Sequence, residues 1–238
     1  MTGGRDCSSA ASYHRAFERL EPCALKGSHT GSSEGTGRRQ RRLATRLAKQ
    51  DVLPMYTLLT KEYNAMALVF QYGSNTSSKR LNSSDRLQGD AKPVGIAYTR
   101  DDFELDFTVW SAGNRCAAAD IVPGSGRRIW GVLYEIPDHL IRRDTAGNCR
   151  SLDAIEGEGT NYQRMIISLK YPSGLPVKPD AITYVVKDRK KGLQTSLEYV
   201  CHIIVGLHEH GVPEEYIEYV KTRIVKNNPS LKEEMERM

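Results

Sequence analysis

Residues 103–110 read FELDFTVW, and this stretch sets the fold class. Phe103, Leu105, Phe107 and Val109 face one way and Glu104, Asp106 and Thr108 the other, the period-two pattern of a strand with one buried face. Working outward, ALVFQY (Ala67–Tyr72) is a short apolar run that ends at Gly73-Ser74-Asn75, a strand followed by a turn. Further strand candidates are Val94–Thr99, Cys116–Val122, Ile129–Ile136, Tyr162–Lys170 and Ala181–Lys187, with Pro123-Gly124-Ser125-Gly126 as a turn between two of them. Helical spacing comes later. Ser151–Glu156 reads as a short helix, and Thr195–His208 as a longer one with Leu197, Val200, Cys201, Ile204 and Leu207 on its core stripe. Gly211 stops it, and Pro213 opens the last helix at its first position, with Glu214 and Glu215 where the helix dipole favours acid. Strands first and long helices last predict an α+β domain with a mixed, largely antiparallel, barrel-like sheet and C-terminal helices.

The chain has 238 residues, enough for a hydrophobic core without staples. Of its 34 basic and 29 acidic side chains, residues 1–50 carry 10 and 4, which leaves 24 and 25 for the remainder. The +5 net charge is therefore a basic leader on a nearly neutral body, and the body carries no field suited to a polyanion. Within the leader, GSHTGSSEGTG (Gly27–Gly37) has nothing to bury, and RRQRRLATRLAKQ (Arg38–Gln50) admits a short basic helix. A nuclear address, a nucleic-acid patch and a solvated disordered leader all stay open here. Glu18, Glu21 and Glu34 count against a transit peptide. The expected organisation is a disordered leader over 1–54, a folded domain over 66–227 and a polar tail over 228–238. Met55 and Met66 are alternative starts. No apolar run approaches the ~20 residues of a membrane span. The five cysteines include no C-x-x-C pair, which fits free thiols in a cytoplasmic protein.

Common catalytic signatures are missing: no G-x-S-x-G, no phosphate loop, no H-E-x-x-H. Gly157-Glu158-Gly159 lacks the third glycine of a dinucleotide fingerprint. His208-Glu209-His210 places its histidines on different helix faces, so surface histidines are expected rather than metal ligands. Two features remain. Tyr72-Gly73-Ser74-Asn75 ends a buried strand, so its backbone N–H groups and side chains either cradle a carboxylate or oxyanion or form an ordinary turn. Glu156 ends a short helix beside Gly157 and precedes a strand, where it is either a partly buried acid with a raised pKa or a solvated one.

Together these pieces resemble the γ-glutamylcyclotransferase family, in the family's order, from about Ala67 to Val225. VFQYGSN looks like the family's opening strand and substrate loop, and RIWGVLYEI like its central strand. LDAIEG resembles the segment with its single catalytic glutamate, which falls on Glu156. TSLEYVCHIIVGLHEHGVPEEYIEYV is similar to its C-terminal helix pair, with Tyr199 on a substrate-contacting tyrosine. Gln71 and Cys116-Ala117-Ala118 depart from the pattern. Relatives often carry a small residue at the first position and a glycine in the second strand. The Asn75 spelling of the loop fits the general γ-glutamyl-amino-acid branch better than the glutathione-specific one.

The resemblance implies a carbon–nitrogen lyase of the amidine-lyase type, acting in glutathione metabolism. A γ-glutamyl amino acid or peptide closes to 5-oxoproline and releases its amine. It implies Glu156 as general base and acid, and Val69, Phe70, Gln71, Tyr72, Gly73, Ser74, Asn75, Tyr162 and Tyr199 around the substrate. Tyr162 and Tyr199 would wall the pocket with hydroxyl donors. The implied partner is a small γ-glutamyl compound, with no cofactor, no metal, no membrane and no nucleic acid on the folded domain. Two alternatives share the residues: a γ-glutamylamine cyclotransferase with another leaving group, and a non-catalytic metabolite-binding module with a nucleic-acid-binding leader.

Overall fold

The computed structural model describes residues 65–124, 126–143 and 150–238. The expected disordered leader over 1–54 therefore lies outside the described residues. Among the described residues eight strands form two sheets. In chain order they are β1 (Met66–Gln71), β2 (Lys92–Thr99), β3 (Phe103–Ser111), β4 (Cys116–Pro123), β5 (Trp130–Pro137), β6 (Tyr162–Ile167), β7 (Leu169–Lys170) and β8 (Ala181–Val186). The six-stranded sheet runs β6-β8-β1-β5-β2-β7, and β3 pairs with β4. Only β1 and β8 pair in parallel; the other pairs are antiparallel. The helices are α1 (Ser78–Leu81), α2 (Leu152–Glu156), α3 (Leu197–Glu209), α4 (Glu214–Asn227) and α5 (Lys232–Arg237). This is the α+β arrangement that the strand-then-helix order predicts, with the sheet curled into a half-barrel. Among the described residues no helix is long and apolar enough to cross a membrane.

The single strand predicted over Tyr162–Lys170 is two. Ser168 alone separates β6 from β7, yet they occupy opposite edges of the sheet, which must curl to bring those edges together. At the centre, β1 is held tightly by β5. A Cβ on Gly131 would stand 2.3 Å from the Gln71 carbonyl oxygen and 2.8 Å from the Phe70 ring, so only glycine lets the strands meet there. β3 matches the predicted alternation with one exception, while β4 is buried throughout from Cys116 to Ile121. A bulge between Phe107 and Val109 turns Thr108 inward, where its hydroxyl donates to buried Asp120 at 2.9 Å.

Three helical readings change. On α3 the buried face is Tyr199, Val200, Ile203, Ile204 and Leu207, so the helix is rotated from the predicted stripe and leaves Leu197 and Cys201 half-buried. Pro213 is extended (φ −53°, ψ 133°) and precedes α4 rather than opening it. The stretch read as a polar tail forms a 3₁₀ turn (Pro229–Leu231) and α5, with Leu231 and Met235 buried.

The rotation of α3 has a cause. After β1 the chain makes a 3₁₀ turn, Ser74–Thr76, and α3 lies against it at Gly206. A Cβ there would come 2.4 Å from both the Thr76 carbonyl carbon and the Ser77 nitrogen. Thr76 reinforces the contact: its hydroxyl reaches the Gly73 and Ile203 carbonyls at 2.9 and 3.3 Å, and its carbonyl accepts from Tyr134 at 2.9 Å. Gly206→Ala is therefore expected to cost about 2 kcal/mol, as overpacking against backbone does. A shift in the urea midpoint at constant slope measures it; an unchanged midpoint would show that the helix and turn are not in this contact.

Candidate active site

Glu156 is the last residue of α2. Ser151 caps the helix, its hydroxyl accepting from the Ala154 N–H at 3.2 Å, and Gly157 (φ 67°, ψ 45°) ends it in the left-handed region that glycine tolerates. Asp153 anchors the same turn. It is buried, accepts both of its Arg164 contacts at 2.6 and 2.7 Å, and takes the Tyr184 hydroxyl at 2.7 Å. One turn of helix is thereby tied to β6 and β8, and the Glu156 side chain is aimed at the turn after β1. There Oε1 accepts from Asn75 Nδ2 at 2.8 Å and from Gln71 Nε2 at 3.4 Å.

A cavity of about 30 Å³ opens beside this carboxylate. Its walls are residues 71–75, Ala119, Glu156 and the phenols Tyr162, Tyr184 and Tyr199. The roles of the phenols follow from their partners. Tyr72 donates to the Tyr184 carbonyl at 2.6 Å and Tyr162 to the Ala119 carbonyl at 2.7 Å, because a carbonyl can only accept. What these two oxygens have left for a ligand is lone pairs. Tyr199 is the reverse: its oxygen accepts the Ala119 N–H at 2.9 Å, so its proton remains available to Ser74 or a ligand. The Tyr199 proton is thus uncommitted to the backbone, whereas Tyr162, expected as a donor, turns an acceptor toward the cavity.

Burial pushes Glu156 above the usual carboxylate range, against the opposing pull of Arg86, the Asn75 and Gln71 hydrogen bonds and Arg80. Burial also raises Tyr72, Tyr162 and Tyr199, so all three stay protonated at neutral pH. Among the cavity walls Glu156 is the one carboxylate, and there is no histidine, cysteine or lysine. Arg86 sits one side chain behind it, donating to Asn75 Oδ1 at 3.1 Å, which fixes the Asn75 amide with its nitrogen toward Glu156.

The structure thus brings Gln71 to Asn75, Glu156, Tyr162 and Tyr199 to one place. Val69 and Phe70 are fully buried in the core and do not line the cavity. Sequence reasoning did not single out Ala119, Tyr184, Arg80 or Arg86; Arg80 and Arg86 lie in the polar stretch SKRLNSSDR, which carries no motif. Of the two histidines expected at the surface, His210 is partly enclosed, with Ser78 Oγ at 2.8 Å and the Tyr134 ring edge-on. No three His, Cys, Asp or Glu side chains converge to hold a metal among the described residues. A larger cleft, about 310 Å³, lies between β3 and α4, but its main polar groups are already engaged. Arg223 donates to the Leu105 carbonyl and Glu104, and Asn227 bridges Thr195 and Leu193.

Residues 128–220 match the AIG2-like family. A solved structure named gamma-glutamyl cyclotransferase superposes with a TM-score of 0.56 at 25% identity, covering 66% of this chain and 87% of that one. An uncharacterised protein from Homo sapiens gives 0.56 and 25%, covering 66% and 86%. YkqA from Bacillus subtilis, at 21% identity and a TM-score of 0.53, covers 71% of this chain and 58% of that one and shares the fold. A search of curated proteins finds no sequence match. The resemblance read from the sequence is thus present in the fold, which is of the cyclotransferase type.

Because Glu156 holds its proton more tightly when folded, its contribution to stability is complete below the ordinary carboxylate range and is lost as pH rises through the folded value. Unfolding free energies of the wild type and Glu156→Gln are expected to agree near pH 4, with the variant gaining as pH rises. Carbon-13 titration of the Glu156 carboxyl should show a value above the ordinary range, moved further up by Arg86→Gln. A value below that range would refute this account of the site.

Proposed function

We propose that the protein is a γ-glutamylcyclotransferase, a carbon–nitrogen lyase that converts γ-glutamyl amino acids or peptides to 5-oxoproline and a free amine. One observation carries this reading: a single carboxylate, its pKa raised by burial, faces a small phenol-walled cavity beside the turn that ends β1.

The chemistry needs little more than that. The substrate's α-amino nitrogen attacks its own γ-carbonyl carbon, so the nucleophile comes with the substrate. Glu156 as carboxylate takes a proton from the α-ammonium, the ring C–N bond forms, and electrons collect on the carbonyl oxygen. Glu156 then returns that proton to the departing nitrogen as the old amide C–N bond breaks, and the second proton left on the ring nitrogen passes through the regenerated carboxylate to the released amine, leaving the lactam N–H. A carboxylic acid with a raised pKa suits both halves of that exchange better than an ordinary one.

The walls divide the remaining work. The Tyr162 oxygen, its own proton committed to Ala119, accepts from the α-ammonium. The Tyr199 hydroxyl, with the backbone N–H groups of the Gly73–Asn75 turn, would donate to the developing oxyanion. Holding amine against carbonyl in so small a space supplies the proximity term. Incubation with γ-glutamyl-alanine is expected to release 5-oxoproline, and Glu156→Gln to lower kcat/KM by roughly 10²- to 10⁴-fold. Product released by the variant at the wild-type rate would remove Glu156 from the mechanism.

A further inference from the structure

The fold treats the two oxygens of Glu156 differently. Oε1 accepts twice, from Asn75 Nδ2 at 2.8 Å and from Gln71 Nε2 at 3.4 Å. Oε2 takes no hydrogen bond or ion pair among the described residues, and yet it is not enclosed by protein. Glu156 lines the cavity, and Oε2 is its free atom there. Both donors to Oε1 are themselves held. Asn75 sits in the 3₁₀ turn with its Oδ1 taken by Arg86 at 3.1 Å, which turns its nitrogen to the carboxylate. Gln71 is the last residue of β1, opposite Val132, with its carbonyl against Gly131 and only 6% of its surface exposed. Its amide nitrogen faces Glu156, since the reverse orientation would set two oxygens together without a proton between them. One carboxylate oxygen is therefore gripped from a strand and from the turn that follows it.

That asymmetry answers a requirement of the chemistry proposed above. The terminal torsion of a glutamate is soft and nearly two-fold, so an untied carboxylate presents either oxygen. In the cyclisation the attacking and departing nitrogens are bonded to the same carbon once the ring has closed, so protons travel only from one to its neighbour. A single oxygen held beside both can take a proton from the first and give it to the second without the carboxyl turning. We propose that Gln71 is a positioning residue: together with Asn75 it ties Oε1, and so makes Oε2 the atom through which the proton passes. This proposal rests on the cyclotransferase reading. It gives a role to the position at which the chain departs from the family pattern, a role exerted through the carboxylate.

The tie also has a pH signature. Around Glu156 stand Arg86 and Arg80, which draw its carboxyl down, and the phenols Tyr72, Tyr162, Tyr184 and Tyr199, which stay protonated. The Gln71 hydrogen bond favours the ionised form as well. Removing it raises the carboxyl. Because Glu156 must begin as carboxylate, the acid limb of kcat/KM moves up with it.

The test follows 5-oxoproline release from γ-glutamyl-alanine against pH, beside carbon-13 titration of the Glu156 carboxyl, in wild type, Gln71→Met and Gln71→Glu. Gln71→Met keeps the bulk and loses the donor. It is expected to lower kcat roughly three- to tenfold, the range of one hydrogen bond, with KM little changed. The acid limb and the carbon titration should move up together. Gln71→Glu, which sets two carboxyls side by side, should move both further. A folding defect lowers the active fraction without moving a limb, so the pH readout separates positioning from fold. Limb and titration at their wild-type values in both variants would overturn the proposal. So would a loss carried by KM alone, which would make Gln71 a wall of the pocket and nothing more. Absence of product from wild-type protein with every γ-glutamyl donor would overturn the cyclotransferase reading and the catalytic role of Gln71 with it. That result is distinct, because the carbon titration of Gln71→Met reads the tie to Oε1 without turnover.

Discussion

Ser168 is the one residue between strands on opposite edges of a six-stranded sheet, and that connection forces the sheet to curl. A flat sheet of this order would hold β6 and β7 five strand spacings apart, on the order of 24 Å, far beyond the reach of one residue. Curling leaves β1 at the centre, flanked by β5 and β8, and its exit into the Tyr72–Thr76 turn becomes the point where elements from the whole chain meet. Two glycines make that meeting close enough. Gly131 admits β5 to the end of β1, and Gly206 admits α3 to the turn. With the turn clamped from both sides, Asn75 faces Glu156 and Tyr199 reaches the Ala119 backbone without any further device.

The electrostatics of the cavity are a contest rather than a single effect. Desolvation favours the protonated form of Glu156 and is the largest influence on it. Arg86, acting directly and through Asn75, pulls the other way, and Gln71 adds a weaker hydrogen bond at 3.4 Å. Without those partners burial would raise the Glu156 carboxyl further, and direct pairing with an arginine would draw it down. Gln71 is the departure noted in the sequence, and in the fold it is a ligand of this carboxylate.

Much of the fold was legible because its signals are local. Alternation in FELDFTVW, the apolar run ALVFQY and the Ser151-to-Gly157 start and stop each arise within a few residues, and the elements fall within a few residues of their expected bounds. What escaped depends on distant partners. Thr108 reads as a solvent-facing residue until the bulge turns its hydroxyl to Asp120 on β4. The face of α3 was drawn through its most apolar residues, but the helix docks by Gly206, which has no side chain to weigh in a periodicity. Tyr162–Lys170 is continuous in pattern because the change of partner at Ser168 leaves alternation undisturbed. For the site, local pattern marks Glu156 and the turn as candidates beside an ordinary reading of each, and the family resemblance is what selects them and adds Tyr199. Arg80, Arg86 and the Ala119 backbone have no local signature, since each matters through what it touches.

The hydrogen-bond roles around Ala119 set the polarity of the cavity walls. Its carbonyl consumes the proton of Tyr162 and its N–H occupies the oxygen of Tyr199, so one peptide unit sets two phenols to opposite polarity. Neither phenol ionises, because burial raises both, and the polarity is therefore independent of pH across the neutral range. On the cyclotransferase reading proposed above, the ammonium of a bent γ-glutamyl group would meet a phenol acceptor and the carboxylate while its carbonyl oxygen meets a donor, and each group left unsatisfied would bear its own desolvation cost.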